Sequence, residues 1–168
     1  MTELPEHHQR IPPPLARGQS HDFSLSHFIY KHQQAQEGHP NLICGLKLPH
    51  FQRAFVWTQE QQVCFMESCW LELDIGRFVI TESPDADEYD NLIIDGQQRL
   101  TTLQRYLNNE FPVYGLLWKE LTRNEKRRMD RVHASTLVIS KPMNEPFLRE
   151  LYNRLNFSGT PHQQHERA

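Results

Sequence analysis

A small mixed β-sheet flanked by helices, α/β or α+β in class, is the fold this sequence predicts. Short apolar runs alternate with stretches whose apolar residues recur at helical spacing. Two of the helical stretches open on capping boxes, Thr58 with Gln61 and Thr122 with Glu125. Neither a repeat nor a linker interrupts the pattern after about residue 20. With 168 residues, the chain is long enough to bury a real core as one domain over 21–168.

Residues 1–20 are polar and rich in proline, with Pro12, Pro13 and Pro14 in a row, and are expected to form a flexible arm. Leu25, Phe28 and Ile29 predict a helix from Ser24 to about Gln36, ended by Gly38-His39-Pro40. A strand is expected over 41–48. The next helix spans 58–74, with Val63, Met66, Trp70 and Leu73 as its apolar stripe, Cys69 packed on the same side and Gly76 as the stop. Phe78-Val79-Ile80 reads as a strand, the acidic SPDADEYDN as a surface turn, and Leu92 to Ile94 as a second buried strand. Leu100, Leu103 and Leu107 place a helix over 98–107. A strand over 111–114, a helix from Thr122 to about Val132, a strand over 135–140 and a last helix over 144–155 follow. That final helix sets Phe147, Leu148, Leu151 and Leu155 on one side.

Composition narrows the function classes. A net charge of −3 with 23% charged residues gives no global attraction to DNA or anionic membrane. No apolar run approaches the ~18 residues of a membrane span, and MTELPEHHQRIPPPLARGQ lacks the apolar stretch of a signal peptide. A membrane partner is not expected. Three cysteines without a CxxC pair fit reduced thiols in a cytoplasm.

LIIDGQQRLTTLQ, residues 92–104, is the most informative stretch. A buried strand ending in Asp95-Gly96 and turning at once into a helix exposes free backbone N–H groups, a ready anion site. Gly96 permits the sharp turn and the close approach of a ligand. Arg99 stands in the first turn, where the helix dipole disfavours a cation unless an anion accompanies it. It offers a bidentate fork to phosphate. Gln97 and Gln98 donate and accept, which suits a base edge, a ribose or an attacking water. Asp95 is a candidate to hold Mg²⁺ through water, to cap the helix, or to anchor Arg99. A plain i,i+4 pair between Asp95 and Arg99 explains D-G-x-x-R equally well.

In PHFQRAFVW, residues 49–57, Gln52 and Arg53 sit among Phe51, Phe55, Val56 and Trp57. An arginine in an aromatic frame calls for an anion or for stacking on Trp57 or a phenylalanine. In RLNFSGTP, residues 154–161, Asn156, Ser158, Gly159 and Thr160 follow a helix end and can form an anion nest or a simple turn. All three stretches lie where regular elements end, the usual place of ligand-binding loops.

QRAFVW, IIDGQQRLTTL and RLNFSGTP stand in the order, and at roughly the spacing, found in the N-terminal domain of GmrSD-type restriction endonucleases. The chain resembles that family from about Leu25 to its C-terminus, and the family's domain is similar in turn to the ParB/sulfiredoxin-like fold. The resemblance implies a nucleoside triphosphate site with Mg²⁺. By position it carries nucleotide binding and hydrolysis onto Asp95, Gly96, Gln97, Gln98 and Arg99. It carries nucleotide contacts also onto Gln52 and Arg53, and onto Asn156, Ser158, Gly159 and Thr160. Asp95 is the implied metal ligand. Pro49-His50 replaces the family's proline pair and Ser158-Gly159 its Gly-Gly. The chain ends at Ala168 without the HNH nuclease pattern of full-length members, so cleavage by that route is not expected of it.

Other signals carry less. His162 and His165 lack a third ligand. The basic run KELTRNEKRRMDR, residues 119–131, reads as a solvated helix face or as a DNA contact through Arg123, Lys126, Arg127, Arg128 and Arg131. The expectation is a triphosphate-binding domain able to act as an NTPase. The alternatives are a non-enzymatic module docking to a protein partner and a DNA-binding or nicking domain.

Overall fold

The computed structural model describes residues 12, 14–35, 42–83, 85, 87–141 and 143–157. Strands β1 (Arg17–Ser24), β4 (Phe78–Thr81), β5 (Ile93–Asp95) and β6 (His133–Lys141) form one mixed sheet in the order β1-β6-β4-β5. β6 pairs antiparallel with β1 and parallel with β4, and β5 closes the far edge antiparallel to β4. A separate hairpin joins β2 (Leu42–Ile43) to β3 (Leu46–Lys47). Five helices accompany the strands among the described residues: α1 (Leu25–Ala35), α2 (Gln59–Trp70), α3 (Gln97–Leu107), α4 (Arg123–Asp130) and α5 (Glu145–Phe157). The α+β expectation holds.

The period of two along each strand divides the interior into two cores. Phe78, Ile80, Ile93 and Val138 point to one face, where α1, α2, α3 and α4 deliver Phe28, Met66, Leu103 and Met129. Val79, Ile94 and Ile139 point to the other, where α5 covers them with Phe147, Leu148, Leu151 and Tyr152. Both faces of β4 are buried, so Phe78, Val79 and Ile80 run on as apolar residues rather than alternating with polar ones.

Several elements depart from the expected pattern. β1 begins at Arg17, inside the stretch expected to be a flexible arm. RGQSHDFS has little strand propensity; eight-residue pairing with β6 imposes the extended form on an edge position. The expected strand over 41–48 is instead two short strands around a Cys44–Gly45 turn, both residues having positive φ. The expected strand over 111–114 is a tight turn at Tyr114–Gly115 closed by a Val113–Leu116 bridge. α2 stops at Trp70, before Gly76, and leaves Leu73 exposed. The chain turns left-handed at Glu72 (φ 56°), where Leu73 N–H returns to the Ser68 carbonyl and Glu72 N–H to that of Cys69, which ends the helix ahead of the glycine. Arg128 from α4 adds a donor to the Trp70 carbonyl at 2.6 Å. Leu155 also lies outside the core.

Both capping boxes form. In the second, Thr122 Oγ1 accepts from the Glu125 backbone N–H, and Glu125 Oε2 accepts from the Thr122 N–H at 2.6 Å. Thr122→Ala removes the first of these bonds and is expected to cost about 1 kcal/mol, read as a shift in the urea midpoint at unchanged slope. The cysteines are free. Cys44 and Cys69 are buried, and burial pushes the Cys69 thiol up to about 12, which makes both packing groups. Among the described residues no helix is long and apolar enough to cross a membrane.

What positions the site is the free edge of β5. An unpaired edge leaves backbone groups open, and here the end of β3 and the segment after it cover them. Lys47 N–H donates to the Asn91 carbonyl at 2.8 Å, and Gln52 Nε2 donates to the carbonyls of Ile93 and, at 3.1 Å, Ile94. The loop carrying Arg53 is thereby laid beside the turn from β5 into α3.

Candidate functional site

The turn from β5 into α3 is built on Gly96, the N-cap residue, at φ 102°. A side chain there would meet the Phe78 ring, with Cδ1 only 2.4 Å from an added Cβ. Because glycine has no capping side chain, the first-turn N–H groups of α3 are left open at the positive end of the helix dipole. Gln97 follows at 6% exposure, and its amide has no hydrogen-bond partner among the described residues. It lines a cleft together with Gln52, Arg53, Asp95, Arg99 and Asn156. The residue is buried as a whole, but its amide is not among the fully enclosed polar atoms and opens on the cleft, where water or a ligand can reach it.

Arg99 turns away from that open end. Its Nη1 donates to the Ile75 carbonyl and its Nη2 to the Arg77 carbonyl, both at 2.9 Å, and Nη2 meets Asp95 Oδ2 at 3.1 Å. The guanidinium lies over Phe78 at 4.7 Å. Burial draws its pKa down, opposed by the neighbouring Asp95. Three of the five N–H donors of an arginine are thus engaged inside the protein. Its place in the first turn is explained by these internal acceptors, so its fork is not the free phosphate clamp read from the sequence. Of the three roles open to Asp95, it fills that of anchor; it does not cap the helix. Gly76, at φ 78°, lets the guanidinium pass, for an added Cβ would stand 2.7 Å from Nη1.

Gln98 is also engaged. Its Oε1 accepts from Val56 N–H at 2.9 Å and Trp57 N–H at 3.3 Å, while Nε2 donates to the Ala54 carbonyl at 3.2 Å. With Gln52 bound to β5, the two amides staple the 52–57 loop to the strand and the helix. The two adjacent glutamines therefore divide the work: Gln98 holds the loop and Gln97 faces the cleft.

Arg53 is exposed and makes no hydrogen bond, ion pair or ring contact among the described residues. The stacking alternative is taken by other arginines, Arg149 lying over Phe51 at 4.9 Å and Arg105 over Phe55 at 5.5 Å. Arg53 lines the same cleft, and its charge is available there. Asn156 enters from α5, its Nδ2 donating to the Tyr152 carbonyl at 2.9 Å. Ser158, Gly159 and Thr160 lie outside the described residues, as do His162 and His165. The cleft offers about 130 Å³ to water-sized groups, less than the ~300 Å³ of a whole small-ligand site, so it is sized for one part of a ligand. Trp57 and Tyr152 also line it. Trp57 was legible as part of an aromatic frame, whereas nothing marked Tyr152 apart from the core face of its helix.

The basic stretch 119–131 lies elsewhere, and none of its residues borders the cleft. Within it Arg128 pairs with Glu72 and Lys126 lies over Trp118. Arg123, Arg127 and Arg131 remain exposed.

Comparison with known proteins gives one family. The profile of the GmrSD restriction endonuclease, N-terminal domain, matches residues 29–167. Searches of curated proteins and of solved structures each return no match. The matched span includes the 52–57 loop, the β5–α3 turn and α5, which are the segments that build the cleft, and leaves out β1. The chain belongs to the family of GmrSD restriction endonuclease N-terminal domains.

Proposed function

We propose that the cleft binds the phosphates of a nucleoside triphosphate together with Mg²⁺, and that the domain serves a restriction-related system through that binding. One observation carries the reading: the uncapped N-terminus of α3 and the Gln97 amide, which makes no internal hydrogen bond among the described residues, border the same cleft as the unengaged Arg53. Backbone N–H groups, an amide and a guanidinium form the donor set a polyphosphate requires. Arg99 contributes at one remove, by fixing Asp95 and the first turn of α3.

The residues fit a magnesium ion shared with a ligand better than a resident metal. Among the described residues there is no group of three potential ligands. Mg²⁺ commonly rests on one or two carboxylates, several waters and the phosphates themselves. Asp95, at 32% side-chain exposure and tied to Arg99 through Oδ2, has Oδ1 left for that purpose. The ion would supply charge neutralisation to the phosphates. Gln97 is the side chain placed to orient a water for in-line attack, since Gln98 is held by the loop.

A panel of four nucleoside triphosphates, each with and without Mg²⁺, tests the reading by thermal shift. At a hundredfold excess over Kd the protein gains about 2.7 kcal/mol, a rise of roughly 5–11 °C for a chain of this size. Arg53→Ala is expected to lose most of that rise, yet leave the ligand-free Tm within about 2 °C, because the side chain is exposed. No shift from any of the four at millimolar concentration sinks the proposal.

A groove lined by Trp70, Leu71, Tyr114 and Leu116 leaves apolar surface exposed and favours, as a second reading, a module that docks to a protein partner. That reading predicts no nucleotide stabilisation. DNA contact through Arg123, Arg127 and Arg131 would show instead as duplex affinity falling steeply with salt.

A further inference from the structure

A second cavity adjoins the first, and the two share Trp57 and Arg99 as a common wall. It is larger and shallower, about 1300 Å³ with its open solvent, and runs along the exposed side of α2 to Ile75. The two compartments differ in charge. The first holds Arg53, the α3 amides and Gln97, balanced by Asp95 alone. The second holds the carboxylates of Glu60 and Asp74, and Arg99, whose charge already faces carbonyls and Asp95. A polyphosphate is attracted to the first and repelled by the second.

The second compartment offers surface of another kind. Trp57 is half-buried, packed against Phe65 with ring centroids 5.7 Å apart, and it borders both cavities. Its position is fixed from three directions. Its N–H donates to Gln98 Oε1, its carbonyl accepts from Gln62 Nε2 at 3.1 Å, and its ring rests on the core. An aromatic face held rigidly beside a phosphate site suits a nucleobase, because stacking costs little ordering. Glu60 and Asp74 can accept from base amino groups or ribose hydroxyls. Asp74 is itself anchored, since its Oδ1 accepts from Gly76 N–H at 2.8 Å.

We infer that the compartment along α2 is the nucleoside subsite, with Trp57 stacking on the base while the phosphates lie across the Arg99 wall. This rests on the triphosphate reading above and adds to it a direction: base toward α2, phosphates toward α5. It also makes this chain selective for nucleotides over bare polyphosphates.

Titration calorimetry with two probes, a nucleoside triphosphate and inorganic tripolyphosphate, both with Mg²⁺, separates the two claims. Wild-type protein is expected to bind the nucleotide more tightly than tripolyphosphate. Trp57→Ala lowers nucleotide affinity about ten- to hundredfold and tripolyphosphate affinity much less, because the ring only borders the phosphate cleft. Trp57→Phe, which keeps a ring against Phe65, holds nucleotide affinity within about fivefold and guards against a folding artefact. Equal binding of both probes by wild-type protein, or an equal loss of both in Trp57→Ala, overturns the subsite while the phosphate site stands. Failure of wild-type protein to bind either probe overturns the triphosphate reading, and this inference with it.

Discussion

Arg99→Ala is expected to lower the melting temperature by roughly 6–12 °C, the equivalent of about 3 kcal/mol in a chain of this length. The side chain is 17% exposed and donates to the carbonyls of Ile75 and Arg77 and to Asp95. Hydrogen bonds involving a charged donor contribute about 1.5–3 kcal/mol each, and removing the donor leaves the Ile75 carbonyl without its partner. Phe78 loses the guanidinium that covers its ring. Exposure of Asp95 and the solvent-facing Arg77 carbonyl limits the total, because water can reach both. Arg99→Lys should restore less than half, since one ammonium cannot span two carbonyls and a carboxylate in a planar fork. On the triphosphate proposal, nucleotide binding is expected to fall in step, through loss of the scaffold under Asp95 and the first turn of α3. A melting temperature within about 2 °C of wild type would show that these internal bonds do not hold the site.

Gly96→Ala should cost more, about 3–5 kcal/mol, enough to remove much of the stability of an ordinary domain. Two independent effects meet at this residue. A φ of 102° lies in the region that L side chains rarely adopt. In addition, the added Cβ would stand 2.4 Å from Phe78 Cδ1, a ring fully buried between Phe28 and Arg99. The effects can be told apart by pairing the substitution with Phe78→Leu. The double variant should lose less than the two single losses added together, because the clash is shared while the backbone strain remains. Strict additivity in urea unfolding would argue that Phe78 does not wall the turn.

How much of this was legible depended on distance along the chain. The capping boxes at Thr58 and Thr122 were read correctly because donor and acceptor lie three residues apart. So was the buried face of α3, and that of α5 for Phe147, Leu148 and Leu151 but not Leu155, where periodicity within one helix decides burial. β1 was missed because its extended form comes from β6, more than a hundred residues away. The end of α2 was misplaced because the left-handed stop falls on Glu72, a residue type that does not announce it, rather than on Gly76. The segments singled out in sequence meet at one cleft, the last of them as far as Asn156, but their side chains could not be sorted. Gln97 and Gln98 look alike in sequence; only the approach of the 54–57 backbone makes one a staple and leaves the other unpartnered.

The sequence by itself determined the strand–glycine–helix turn, the family, and which segments could border a common cleft. These follow from local sterics and hydrophobic period, which act between near neighbours. Only the tertiary structure decided that Arg99 faces inward to Ile75 and Arg77 and that Arg53 keeps its charge for the cleft. A hydrogen bond engages whichever acceptor folding brings within about 3 Å, and that proximity is set by packing, which no short motif encodes.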